Sequence, residues 1–265
     1  MFRFLLRNIG LWILLIAISS CDEILTIAVV GDGNLKTEER NLSSFSQILL
    51  ESSDFELILR SGGKHKVVVE TDSNLMSYVT TETSGNQLLI DTKINFNIQA
   101  REGVKITVYY PGNFLNVEIA NGGILRTDSL VLDRFNISIF GVSKMRTVDT
   151  LRCSDLNLFS DGSTNVLLTG LYENLTVHQQ GSGNILLLGR SSYGDLLLEG
   201  SGKIDCRELM VHDADLELYG SGLILCSVSG RLSAEITGNG RIYYYGMPET
   251  LVKNIEGDGL VLPGN

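Results

Sequence analysis

From Asn116 onward, apolar and polar residues alternate in short runs, and a glycine turn interrupts the alternation at a nearly fixed interval. Gly181-Ser182-Gly183-Asn184-Ile185 returns as Gly200-Ser201-Gly202-Lys203-Ile204 and again as Gly220-Ser221-Gly222-Leu223-Ile224. Gly238-Asn239-Gly240-Arg241-Ile242 and Gly257-Asp258-Gly259-Leu260-Val261 continue the series. Looser copies precede it at Asn121-Gly122-Gly123-Ile124-Leu125, Gly141-Val142-Ser143-Lys144-Met145 and Gly162-Ser163-Thr164-Asn165-Val166. The apolar residue closing each copy is an anchor: Leu125, Met145, Val166, Ile185, Ile204, Ile224, Ile242 and Val261. Successive anchors are 20, 21, 19, 19, 20, 18 and 19 residues apart, a period that marks a repeat architecture.

The flanks repeat as well. Eight residues before the anchors from Met145 to Ile242 stand Ile137, Leu158, Val177, Leu196, Leu216 and Ala234, all apolar. One position earlier stand Asn136, Asn157, Thr176, Asp195, Asp215 and Ser233, all polar. Two residues after the anchors come Thr127, Thr147, Leu168, Leu187, Cys206, Cys226, Tyr244 and Pro263. Alternation within a repeat, aligned between repeats, stacks side chains in columns. The pattern therefore predicts an all-β fold, a β-solenoid with coils of about 19–20 residues, each laid on the last at about 4.8 Å. The glycine pairs become its corners: Gly181 and Gly183, Gly200 and Gly202, Gly220 and Gly222, Gly238 and Gly240, Gly257 and Gly259. Each pair offers two positions free to take positive φ, so these glycines read as structural turns and not as a phosphate cradle, which would open a helix.

The earlier chain is also β in pattern. Residues 53–59 alternate and break at Ser61-Gly62-Gly63, and Lys66–Glu70, Gln87–Ile90 and Val104–Val108 follow with turn residues between them. Ser73 to Tyr78 has room for one helical turn. The organisation expected is a β-rich N-terminal region over 41–115 and solenoid repeats over 116–265, as one continuous head spanning 31–262, with a tether and lead-in over 21–40.

Residues 1–20 read as an export signal. Arg3 and Arg7 precede an apolar run from Ile9 to Ile18, too short to span a bilayer. Ile18-Ser19-Ser20-Cys21 resembles a bacterial lipobox, which implies cleavage before Cys21 and a lipid on its sulfur, so that the membrane is a partner through that anchor. The rest of the composition fits an exported β protein. Of 265 residues 43% are hydrophobic, glycine numbers 28 and proline 3. The net charge of −10 disfavours both nucleic acid and anionic lipid as partners.

Little catalytic chemistry is readable. Cys153, Cys206 and Cys226 match no zinc spacing. Cys206 and Cys226 share a column in adjacent coils, which puts them within reach of a disulfide or leaves them a reduced, stacked pair. His65, His178 and His212 fall in different columns. Asp195 and Asp215 share a column that contains no basic residue, and read as solvated acids before they read as a cation site. No nucleophile elbow, metalloprotease motif, Walker loop or dinucleotide fingerprint is present, and no cofactor or metal is expected.

Gly31-Asp32-Gly33-Asn34, the run Glu39 to Ile48, Phe55-Glu56-Leu57, Val67 to Leu75, Leu88-Leu89-Ile90 and the Gly-Ser-Gly-x-Ile turns, in that order, resemble the family called putative autotransporter adhesin, head GIN domain. The resemblance covers about residues 31–262. It implies a right-handed parallel β-helix and a bacterial lipoprotein of Bacteroidetes-like origin, and carries no catalytic residues. The expected function is a lipid-anchored cell-envelope adhesin that binds a glycan or cell-surface protein without catalysis, held at the outer membrane and facing the periplasm or the exterior. The alternatives are a polysaccharide-active β-helix enzyme and a structural envelope component that self-associates as a homo-oligomer. An enzyme would show a cluster of acids with a nearby arginine or lysine in one groove, and the columns show none.

Overall fold

A computed structural model describes residues 26–128 and 130–264. Within them the fold is nearly all β, a β-solenoid as the repeat predicts. Each coil runs along a strand leading into the glycine corner and a strand trailing out of it, and the corresponding strands pair in parallel, coil on coil. In the leading sheet Ile137, Leu158, Val177, Leu196, Leu216 and Ala234 lie in one hydrogen-bonded register. In the trailing sheet the anchors Leu125, Met145, Val166, Ile185, Ile204, Ile224, Ile242 and Val261 do the same. A third, shorter face joins them through Leu151–Cys153, Leu171–Tyr172, Arg190–Ser191 and Met210–Val211.

Both predicted inward columns are buried and belong to one core cluster that runs from Phe45 to Val261. Removing a leucine or isoleucine side chain from water is worth about 1.5–3 kcal/mol, and no coil could bury its own without neighbours.

The N-terminal region belongs to the same stack. Gln47–Leu50 pairs in parallel with Phe114–Ile119, and Phe55–Ser61 pairs in parallel with Ile124–Asp128. Residues 47–61 are thus a coil directly beneath the first repeat. Beneath that coil lies another, made by Gln87–Thr92 and Val104–Tyr110. Stack order and chain order part here, because the coil later in sequence lies further from the repeats. The chain returns across the gap at Tyr110-Pro111-Gly112, where the Tyr110 hydroxyl donates to the Phe114 carbonyl.

The outer edge of this last coil is closed by antiparallel strands. Val79–Ser84 covers Gln87–Thr92, Lys66–Asp72 covers Val104–Tyr110, and Leu35–Arg40 covers Lys66–Asp72 in turn. The stretch read as tether and lead-in therefore contains two strands, Leu35–Arg40 and Ile27–Val30. The latter forms a separate parallel pair with Phe96–Gln99. The single helical turn lies at Met76–Tyr78. The export signal and Cys21 lie outside the described residues.

Candidate binding surfaces

The corner glycines occupy two different environments. The first of each pair has positive φ: +94° at Gly181, +117° at Gly200, +123° at Gly220, +126° at Gly238 and +103° at Gly257. The second, at Gly183, Gly202, Gly222, Gly240 and Gly259, is not among the positive-φ glycines; what it needs is space. A Cβ at Gly222 would meet Leu198 and the Gly202 carbonyl, and one at Gly240 would meet Leu218 and the Gly222 carbonyl. The expectation of two left-handed positions per corner is corrected to one, with the other set by the coil packed beneath.

The candidate chemical residues stand apart. Cys206 and Cys226 are in register, fully buried, and both are free thiols; Cys206 Sγ donates to the Leu225 carbonyl at 3.0 Å. Burial, first, and the neighbouring Cys226 push the Cys206 thiol well up. His65 lies between Phe45 and Tyr110, 2.9 Å from the Phe45 carbonyl. His178 Nε2 is 2.7 Å from Glu199, and His212 Nδ1 is 3.2 Å from the Ser229 hydroxyl. Among the described residues no group of three or more His, Cys, Asp or Glu side chains is placed to hold a metal.

Asp195 and Asp215 do adjoin, and the fold adds groups their column lacks. Arg231 pairs with Asp215 at 2.8 Å and the Tyr193 hydroxyl donates to the same carboxylate. That hydrogen bond, burial and nearby acids push the Tyr193 hydroxyl up to about 12. Burial, Glu217 and Asp215 raise the Asp195 carboxyl. The set lies on the outer face of the leading sheet. Beside it, the Asn136 amide donates to Asn116 at 2.7 Å and the Asn157 amide to Asn136 at 2.8 Å, a row of amides running across coils.

Several concavities lie along the described residues, two of them of more than 500 Å³. One, of about 810 Å³, lies beside Phe96–Gln99 and is lined by Ser52, Asp54, Asp91, Thr92, Lys93 and Ile94 among others. Its floor is tied together by the Ser52 hydroxyl donating to Asp91 at 2.7 Å. The other, of about 550 Å³, runs along the outside of the trailing sheet, with Arg126, Lys144, Arg146 and Lys203 around Leu167 and Leu186. Neither was anticipated. The second was readable in principle, because its side chains stand one residue either side of the anchors. The first was not, since only the fold brings residues 51–55 and 91–104 together.

With this geometry in view, the family can be assigned. The sequence profile described as putative auto-transporter adhesin, head GIN domain matches residues 44–248. The chain belongs to that family. No curated protein matches it. Similar solved structures include one described as a putative lipid binding protein from Parabacteroides distasonis, at 24% identity and a TM-score of 0.77, covering 90% of this chain and 100% of that one. A putative adhesin from the same organism has 23% identity and a TM-score of 0.76, with the same coverage. A putative adhesin from Parabacteroides merdae has 20% identity and a TM-score of 0.76, covering 90% and 99%. At these identities they support the solenoid fold.

Proposed function

We propose that this head-GIN-domain protein is a lipid-anchored, cell-envelope binding module that holds a glycan or protein on the outer face of its leading sheet and performs no catalysis. The observation that supports this is the row of amides and hydroxyls at one position per coil, from Asn116 through Asn136, Asn157 and Thr176. Side chains repeated every ~4.8 Å on a rigid sheet suit a polymeric ligand with a short repeat of its own. The amides bond one another in line, so they are pre-ordered and lose little entropy when a ligand binds. The anchor is the lipid on Cys21 at the outer membrane. Cys21→Ser is expected to move the protein from the membrane fraction to the soluble one.

A glycan array on the wild type and on Asn136→Ala/Asn157→Ala, with size-exclusion chromatography of each, tests the ligand. The expected result is one glycan class bound by a monomer and lost in the variant. No binding to any glycan, together with self-association, would instead support a structural envelope component. One observation favours a second reading, sugar cleavage: the Asp195 and Asp215 carboxyls beside Tyr193 and Arg231 bring acids and an arginine together. Arg231 and Tyr193 already occupy Asp215, and the set lies on a sheet face rather than in either concavity. Hydrolysis of a polysaccharide panel by wild type, abolished in Asp195→Asn, would establish it.

A further inference from the structure

The concavity on the trailing sheet has chemistry foreign to the rest of this acidic chain. Four cations line it, Arg126, Lys144, Arg146 and Lys203, against one carboxylate, Asp205, in a protein of net charge −10. The cations are not equivalent. Arg126 is held by Glu56, and Lys203 lies 2.9 Å from Asp205, which Arg207 also grips. Lys144 and Arg146 have no carboxylate partner among the described residues. They stand two residues apart on Lys144–Thr147, so they project from the same face of one strand.

The next two rungs change character. Arg146 is followed in register by Leu167 and then Leu186, which remain 39% and 37% exposed. A pair of free cations thus opens onto an apolar floor about 10 Å long, two rungs of ~4.8 Å. The volume, about 550 Å³, lies within the range of small-molecule sites. A purely polar glycan would leave the leucines uncovered, and a neutral lipid would leave the cations unanswered.

We propose that this groove binds a free, single-chain anionic amphiphile, its carboxylate or phosphate head on Lys144 and Arg146 and its hydrocarbon chain along Leu167 and Leu186. The groove lies on the trailing sheet and shares no side chain with the amide row of the leading sheet. The proposal therefore stands whether or not a glycan binds there.

Isothermal titration of the protein with dodecyl phosphate, below its micelle concentration, tests it. The expected result is saturable one-to-one binding. Affinity should fall about tenfold or more in Lys144→Gln/Arg146→Gln, as two charge-assisted contacts are lost. It should also fall in Leu167→Asn/Leu186→Asn. Inorganic phosphate, carrying the head alone, and dodecyl maltoside, carrying the chain alone, should each bind far more weakly. Equal affinity in either double variant would overturn the site. Equal binding of inorganic phosphate would reduce it to an anion site, and equal binding of dodecyl maltoside to an unselective apolar patch; either overturns the proposal. Co-sedimentation with phosphatidylglycerol vesicles without binding of dodecyl phosphate would overturn it in favour of a membrane surface. All four positions are exposed on the sheet face, and circular dichroism with an unchanged melting profile establishes that the variants fold.

Discussion

Gly220 sits at φ +123°, and a Cβ there would strike the Gly200 carbonyl of the coil beneath at 2.6 Å. The penalty is therefore double: about 1–2 kcal/mol for an L-residue in the left-handed region, and a backbone collision that an adjacent coil cannot relieve by rotating a side chain. Gly220→Ala is expected to destabilise by about 2–5 kcal/mol, the sum of strain and overpacking. The neighbouring Ser221→Ala, at an exposed position, should stay within about 0.5 kcal/mol. Denaturant midpoints of the two variants make the comparison. Asp72 carries a different burden. It is fully buried, yet the backbone amides of Gly33, Arg101 and Glu102 donate to it at 2.6, 2.9 and 3.3 Å. Burial alone would raise its carboxyl, and these amides together hold it below the ordinary value of 3.8. The folded state thus binds fewer protons than the unfolded chain near that value. The stability Asp72 contributes is full above pH ~4 and lost as pH falls through the depressed value. Asp72→Asn should lower the midpoint at neutral pH and narrow the gap to wild type in acid. A gap that is constant with pH would show that the charge has no part.

At the scale of strands and corners, the early repeats show how one corner tolerates departures. Where later coils have the second glycine, Ser143 and Thr164 are fully buried. Each finds a local acceptor or donor: Ser143 Oγ donates to the Phe140 carbonyl at 2.6 Å, and Thr164 Oγ1 bonds the Ser160 hydroxyl. Ser160 stands in register between Ile139 and Gln179, in a column that continues as Leu198, Leu218 and Ile236, so the Thr164 hydroxyl finds its partner within its own coil. The ladder register continues through both corners, so the departure of Val142 and Thr164 from the later turn residues stays confined to side chains. This part of the fold was readable from sequence because each column repeats at a fixed offset from its anchor. The N-terminal end was less so: its strands alternate as predicted, but nothing in Gln87–Thr92 says that it pairs beneath Gln47–Leu50. Nor does the Gly31-Asp32-Gly33-Asn34 motif announce that it docks onto Asp72-Ser73-Asn74, where Ser73 donates to Asp32 and the Asp32 amide donates to Asn74. Long-range closure leaves no period to read. The trailing-sheet groove fell between these cases, since its cations and leucines occupy columns adjacent to the anchors but do not conserve one chemical character along the stack. The three cysteines make a testable element of their own. Cys153, Cys206 and Cys226 are buried free thiols, and burial pushes the Cys153 thiol up to about 11. A thiol reagent is expected to find them unreactive in the native protein and reactive after denaturation, with a non-reduced mass equal to the reduced one. A mass lower by one disulfide would show that Cys206 and Cys226 are bridged.

For the molecule as a whole, a solenoid is held by contacts between nearest coils, so its stability varies along the axis according to what covers each end. The two ends of this stack differ. At the N-terminal end the coil of Gln87–Thr92 and Val104–Tyr110 is covered on its outer edge by Val79–Ser84 and Lys66–Asp72. Leu35–Arg40, with Lys36, Glu38, Glu39 and Arg40 along it, then presents a charged edge that discourages further strand addition. At the other end Thr250–Gly257 pairs with Arg231–Gly238 on one side, and every one of its residues is exposed. The inward column there has changed as well, since Lys253 stands in register with Ala234 and donates instead to the Val261 carbonyl at 2.9 Å. A lysine in a core column cannot be buried unpaired, so this coil closes the apolar column without covering it. Native-state hydrogen exchange should therefore be graded. Amides of residues 250–263 are expected to exchange first through local opening, and those between Asn165 and Gly220 last, near the global unfolding free energy. Amides of residues 87–92 and 104–110, although they too belong to a terminal coil, should exchange with the interior. If both terminal coils exchanged alike, the antiparallel strands would be ornament rather than cap, and the asymmetry would have to come from the coils' own sequences. A variant separates the two: Val69→Asp buries a charge between Leu35–Arg40 and Val104–Tyr110, and it should bring exchange at residues 104–110 down to the level of 250–263 while leaving the central coils protected.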